Sequence, residues 1–214
     1  MYRLADKLLE QLKKLIRREF NRFAIFGFDE LNVPRVTLET VELFNRLLAE
    51  NNKRYLQASR KACLDAKALV LAAGYEDKDI PIPDEAWLVR FLGAYNFVSG
   101  YLYEPEAERK RLRLVEQILT AKEYQNRTLY NDSLRRSANL WWTQTAHYML
   151  DAVDESTLDT YKLMGVKRVQ WHTNIDGHEC KTCRDRHGVI YDIDKVPSKA
   201  HRNCRCRLTP VPTK

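Results

Sequence analysis

Five metal-competent side chains crowd into the last part of this 214-residue chain: Cys180, Cys183, His201, Cys204 and Cys206. The only other cysteine, Cys63, lies far upstream in a run with helical periodicity and reads as a small core residue. The order is Cys-x2-Cys, seventeen intervening residues, then His-x2-Cys-x-Cys. That spacing is close to a structural zinc site, in which two short turns each aim a pair of ligands at one tetrahedral ion. The alternatives are two disulfides or four reduced thiols. Disulfides need an oxidising compartment, and the first residues, Met-Tyr-Arg-Leu-Ala-Asp-Lys, lack the apolar segment of an export signal. The expectation is therefore a zinc ion and folding in a cytoplasm.

Five candidates compete for four places. Cys180 and Cys183 form the first pair, and His201 with Cys204 fits a similar turn. Cys204 and Cys206, one residue apart, are expected to diverge, so that only one of them ligates and the other packs in a small core. Such a site is closed. A catalytic zinc keeps a position open for water, usually beside a carboxylate base. Glu179 and Asp185 are near in sequence, but the His-x-Glu of zinc deaminases is absent, since His178 and Glu179 are adjacent and abut Cys180. No Gly-rich phosphate loop, nucleophile elbow or His-Glu-x2-His helix occurs either. The expectation is a non-enzymatic protein.

The first three-quarters read as helix. Leu4, Leu8, Leu12, Leu15, Ile16, Phe20 and Phe23 recur at helical spacing, with Gly27 as a break and Pro34 in a linker. A second helix is expected from about Thr37 to Ala73, stopped by Gly74. Its expected stripe is Val41, Leu48, Tyr55, Ala62 and Leu69, seven apart. Asp84 is placed to cap a third helix reaching about Val98, and Pro105 suits the first turn of a fourth. There the run Arg109, Lys110, Arg111 and Arg113 reads as a solvated face. A fifth helix is expected from Asp132 or Ser133 to Met164, ended by Gly165. It would bury Leu134, Ala138, Trp141, Thr145, Tyr148, Ala152 and Tyr161. Of the adjacent Trp141 and Trp142, one is expected in the core and the other against a neighbour. His147 reads as structural.

Beyond Gly165 the texture changes. Alternation over 166–173, a short apolar run at 189–191 and the segment 204–211 read as three strands, with turn residues at 174–177 and His187-Gly188. No apolar run approaches the ~20 residues of a membrane helix. The fold class is thus mainly α, a long-helix body over 1–130, followed over 131–214 by a long helix and a small α+β zinc-binding module at 165–212. Fifty residues this poor in large apolar groups bury too little to offset chain entropy, so 166–211 should be loosely held without metal. The net charge of +7 is concentrated here. Residues 1–163 hold 25 Lys+Arg against 24 Asp+Glu, and 164–214 hold 11 against 5. A +6 tail, trimmed by −1 to −2 if three or four thiolates bind zinc, suits nucleic acid or an acidic protein surface.

The segments Arg135-Arg-Ser-Ala-Asn-Leu-Trp-Trp-Thr-Gln-Thr-Ala-His-Tyr148, Met164-Gly-Val-Lys-Arg-Val-Gln-Trp171, Asp176-Gly-His-Glu-Cys-Lys-Thr-Cys-Arg-Asp-Arg-His-Gly-Val189 and His201-Arg-Asn-Cys-Arg-Cys-Arg-Leu-Thr-Pro-Val211 carry a resemblance. Together they resemble the phage head morphogenesis family, the minor head proteins similar to protein F of phage Mu. The match covers about residues 130–212. The approach to His201 is shortened to Val196-Pro197-Ser-Lys-Ala200, where the family is proline-rich. The resemblance implies a minor capsid protein of a tailed phage or prophage, inside the head near the portal vertex, made in the host cytoplasm. Its implied partners are the portal protein, the major capsid or scaffold protein, and packaged DNA; its implied role is head assembly and DNA packaging or delivery. Two other readings are distinguishable. A treble-clef-type nuclease would use His187 or His201 as base. A DNA-binding zinc module would bind through Arg184, Arg186, Arg202, Arg205 and Arg207, with strong salt dependence.

Overall fold

A computed structural model describes residues 2–25, 28–99, 103–175, 179–201 and 204–213, with the side chains of Ile25 and of 94–106 outside the description. Five helices come first: α1 (Arg3–Ile25), α2 (Val33–Ala72), α3 (Glu85–Ser99), α4 (Tyr103–Glu123) and α5 (Arg127–Leu163). Then follow β1 (Arg168–His172), the short helix α6 (Lys181–Arg186), β2 (Ile190–Asp192) and β3 (Arg207–Pro210). The fold is mainly helical with a small C-terminal sheet, as the periodicities indicate. No described helix is long and apolar enough to cross a membrane.

Two helices start earlier than the sequence suggests, each at an asparagine cap. Asn32 Oδ1 accepts from the Arg35 amide at 3.0 Å, so α2 begins at Val33 and Pro34 sits inside its first turn instead of in a linker. Asn126 Oδ1 accepts from the Leu129 amide at 2.9 Å, which starts α5 at Arg127 rather than near Asp132. Helix α5 ends as expected. Gly165 adopts φ +82°, a left-handed value that costs glycine little, and lets the Val166 amide reach back to the Tyr161 carbonyl at 3.0 Å. Gly27, the expected break after α1, lies outside the described residues.

The stripe of α2 also differs. Val41 and Leu48 are half-buried and Leu69 is exposed. The buried line is Leu43, Leu47, Asn51, Tyr55, Ala58, Ala62, Ala66 and Val70. Its steps are of four residues except between Tyr55 and Ala58, so the line drifts steadily off a seven-residue repeat. Asn51 lies on this line because its amide Nδ2 donates to Thr145 Oγ1 at 2.9 Å, a partner invisible in sequence. The expected stripe of α5 is buried throughout except at half-buried Ala138.

The chain divides into two compact units whose segments alternate along the sequence. One comprises Lys7–Arg54 and Trp87–Ala146. Its core joins Ile16, Phe20 and Phe23 of α1 to Leu43, Phe44 and Leu47 of α2, Leu114 and Ile118 of α4, and Tyr130, Leu134 and Trp141 of α5. Trp141 meets Phe44 edge-on at 4.8 Å, while Trp142 stays at the margin under the Lys13 ammonium.

The other unit comprises Met1–Asp6, Tyr55–Ala86 and His147–Lys214. It holds the sheet, ordered β2-β1-β3 and antiparallel throughout, with Val169 facing Tyr191 on one side and Pro210 on the other. The inward face of β1 carries Val169 and Trp171. They pack with Leu208 of β3 against Ala66 and Val70 of α2, Tyr161 of α5 and Met164 just beyond its end. The strand region is therefore not coreless, contrary to the sequence expectation. The helix ends supply the apolar surface that fifty residues lack. The same cluster contains Cys183, Cys204 and Cys206, and Cys63 is buried elsewhere in α2.

Candidate metal centre

The centre is built by two turns at one edge of this core. Cys180 is the N-cap of α6, extended at φ −71° and ψ 156°, and its Sγ accepts from the Cys183 amide at 3.4 Å. A cysteine thus occupies the place where serine or aspartate usually satisfies a free helix amide, and one turn of helix carries Cys183 to the same side. After α6 the chain reverses at Gly188, whose φ of +80° suits glycine, and its amide donates to the Trp171 carbonyl at 2.8 Å. The second turn is closed by the Cys204 amide donating to the His201 carbonyl at 3.3 Å.

All five expected ligands meet. Cys180, Cys183 and His201 have their donor atoms within 4.8 Å of one another, and so do Cys183, Cys204 and Cys206. Cys183 belongs to both groups. Its Sγ lies 3.6 Å from His201 Nε2 and 3.6 Å from Cys204 Sγ. A tetrahedral ion with metal–sulfur bonds of 2.3 Å holds its sulfurs roughly 3.8 Å apart. A disulfide needs about 2.05 Å, and all five cysteines of the chain are free. The expectation that Cys204 and Cys206 diverge rested on a misplaced alternation. Residues two apart share a face of an extended segment. Both are buried, with Arg205 between them exposed.

Electrostatics favour a cation. Burial pushes the Cys183 thiol far above its ordinary range, and the sulfurs of Cys180, Cys206 and Cys204 add to the shift. Burial also raises the Cys204 thiol. At Cys206 burial acts upward too, but hydrogen bonds with Thr173, Cys204 and Cys183 outweigh it and the net direction is down. Several thiolates cannot coexist here without a positive charge, and a divalent ion reverses the balance by binding them deprotonated. The donor set and its spacing fit a thiophilic divalent metal.

Supporting residues were not singled out by motif. Thr173 Oγ1 donates to the Cys183 carbonyl at 2.6 Å and lies 3.3 Å from Cys206 Sγ. The alternation Val169, Trp171, Thr173 would have placed it on the buried face. On the loop between the ligands, Lys199 Nζ reaches the Cys206 carbonyl, which also accepts from Tyr2 Oη at 2.9 Å. Lys199 pairs with Asp154 of α5 at 2.9 Å, and the one Tyr2 hydroxyl proton is shared between this carboxylate and the Cys206 carbonyl. These contacts join residues up to 204 positions apart and leave no local signal.

Residues proposed for other roles are otherwise engaged. Glu179 pairs with Arg184 at 2.7 Å, and Asp185 is exposed. His187 Nδ1 accepts from the Thr173 amide at 3.1 Å, which orients the ring as a brace on β1. Asp176, Gly177, His178 and Arg202 lie outside the described residues. His147 sits 3.5 Å from Asp151 one turn along α5. Comparison with protein-family models, with curated proteins and with solved structures finds no match to this chain.

Proposed function

We propose that the C-terminal module is a structural zinc site and that the chain is a non-enzymatic minor head protein of a tailed phage or prophage. The observation that carries the reading is the donor cluster. Five soft or borderline ligands converge on a site that needs four, so the protein's own side chains can fill every place around a tetrahedral zinc and leave none for a substrate. Thiolate sulfur favours zinc over the harder divalent ions. The segment Arg135–Tyr148 lies on α5, mostly in the other unit, and the later motifs of the family resemblance fall on parts that build this module. They are the glycine turn after α5, the tryptophan of β1, the knuckle at Cys180 and the turn at His201. Zinc when bound cross-links the two turns. Cys180 and Cys183 fix the start of α6, while His201, Cys204 and Cys206 fix the approach to β3.

In this reading the protein sits inside the head near the portal vertex and acts in head assembly and DNA packaging or delivery. The portal protein is its partner, with the capsid or scaffold protein and packaged DNA as further contacts through the basic C-terminal region. Co-expression with the portal protein of the same genome tests this. A portal ring that retains the wild-type chain through gel filtration supports it. A ring that never retains it sinks it. Metal-dependent nicking of plasmid DNA, lost in His187→Ala with the fold intact, would replace it with the nuclease reading.

A further inference from the structure

The unit comprising Lys7–Arg54 and Trp87–Ala146 carries a second feature, unrelated to the metal. A groove of about 610 Å³ runs between α4 and α5, lined by Arg109, Lys110, Arg113 and Arg136 around Leu114, Leu140 and Trp141. Its described lining includes no acidic residue. Helix α5 has no Asp or Glu from Ser133 through Leu150. Flanking arginines are neutralised within the chain: Arg111 by Glu108 at 2.5 Å, and Arg135 by Asp132 at 3.0 Å. Arg113 and Arg136 have no ion-pair partner among the described residues. The run of α4 that reads in sequence as a solvated face is thus interrupted by the buried Arg111, while Arg109, Lys110 and Arg113 meet Arg136 of α5 across a concave surface.

Like charges gathered around a concave, low-dielectric wall raise the local potential and concentrate counter-ions of opposite sign. The ligand is therefore anionic. The apolar part of the lining decides its class. A phosphodiester backbone would satisfy the guanidinium groups but leave Leu140, 55% exposed, uncovered. Strand bases would need an aromatic face to stack on. The aromatic ring in the lining, Trp141, is only 6% exposed and turned into the core against Phe44. A helix bearing an apolar stripe flanked by carboxylates answers both requirements, with leucine-like side chains over the exposed Leu140 and carboxylates forked onto the arginines. We propose that the α4–α5 groove binds an acidic amphipathic helix of a protein partner.

The test uses the full chain with metal bound and three fluorescein-labelled probes: a 15-residue peptide with leucine at helical i, i+3, i+4, i+7 spacing flanked by glutamate, a scrambled peptide of the same composition, and a 20-base-pair duplex DNA. Wild-type protein should bind the amphipathic peptide at least about tenfold more tightly than the scrambled one, by anisotropy at 100 mM salt. Arg113→Glu/Arg136→Glu should lose about tenfold or more of that binding, as expected for reversing two charges that face carboxylates. Both arginines are exposed, so the fold should survive, as circular dichroism would verify. Leu140→Glu should weaken the same peptide independently. No peptide binding, equal binding of the scrambled peptide, or indifference to the double charge reversal would each overturn the proposal. So would a double variant that loses duplex DNA more than peptide, which would assign the groove to nucleic acid.

Discussion

Cys183 is the one donor common to both ligand groups, so it and His201 should behave very differently when removed. Structural zinc in small modules contributes about 10–16 kcal/mol. Divided evenly among four ligands, one ligand accounts for roughly 2.5–4 kcal/mol, or about 10²–10³ in affinity. Cys183→Ser removes the sulfur that lies 3.6 Å from both His201 and Cys204 and breaks both ligand groups at once, whereas loss of His201 leaves the Cys183, Cys204 and Cys206 group intact. The full hundredfold or greater loss is expected. His201→Ala leaves four thiols, three of them buried. They can complete the tetrahedron, so the loss should stay below about tenfold. Zinc content by elemental analysis, followed by competition against a chromophoric chelator, measures both. Far-UV circular dichroism, dominated by α1–α5, checks that the helical body survives. Equal losses in the two variants, or a Cys183→Ser protein holding one zinc as tightly as the parent, would refute the assignment of Cys183 as the shared ligand.

Chelation of the wild-type protein should expose 173–206 to proteolysis while β1, packed on Tyr161 and Met164, stays protected longer; cleavage confined to other segments would contradict this. Asn51→Ala should destabilise the protein by about 1–3 kcal/mol, since Thr145 loses its buried partner, and Asn51→Leu/Thr145→Val should recover most of it by chemical denaturation. Gly165→Ala should cost about 1–2 kcal/mol, because the left-handed φ of +82° penalises a Cβ, as a thermal melt would show. At Asp154 burial outweighs the Lys199 charge and the Tyr2 hydroxyl, so its folded pKa lies above the ordinary carboxylate value. Its contribution to stability is therefore full below that ordinary value and lost as pH rises through the folded pKa. Asp154→Asn should flatten the fall in stability over that interval, measured by urea unfolding at saturating zinc.

The helical body and the ligand cluster were legible because both rest on local spacing. Leu12, Ile16 and Phe20 reveal a helix face, and Cys-x2-Cys reveals a knuckle, whatever surrounds them. Helix starts were less legible. The caps at Asn32 and Asn126 are single residues whose side-chain acceptors compete with many other asparagine conformations. The buried line of α2 was less legible, because a seven-residue spacing suggests a different stripe and only Thr145, 94 residues away, makes the polar Asn51 a core residue. The ends of α2 and α5 that support the sheet were invisible for the same reason. Nothing in 166–211 announces that Ala66 and Val70 will supply its missing apolar wall. The braces at Tyr2, Asp154 and Lys199 are ordinary residue types, informative only once brought together.

The contact between Tyr2 and the Cys206 carbonyl fixes an order of events during synthesis. A translating ribosome releases Tyr2 some two hundred residues before its acceptor exists. Over that interval Lys7–Arg54 and Trp87–Ala146 are already complete and free to fold, as domains commonly do while the chain is still emerging. The companion unit cannot be completed until Cys206 has emerged, about fifty residues after Asp154, the other partner of Tyr2. Docking of Tyr2 on the Cys206 carbonyl and convergence of Cys183, Cys204 and Cys206 therefore both await the same late-made segment.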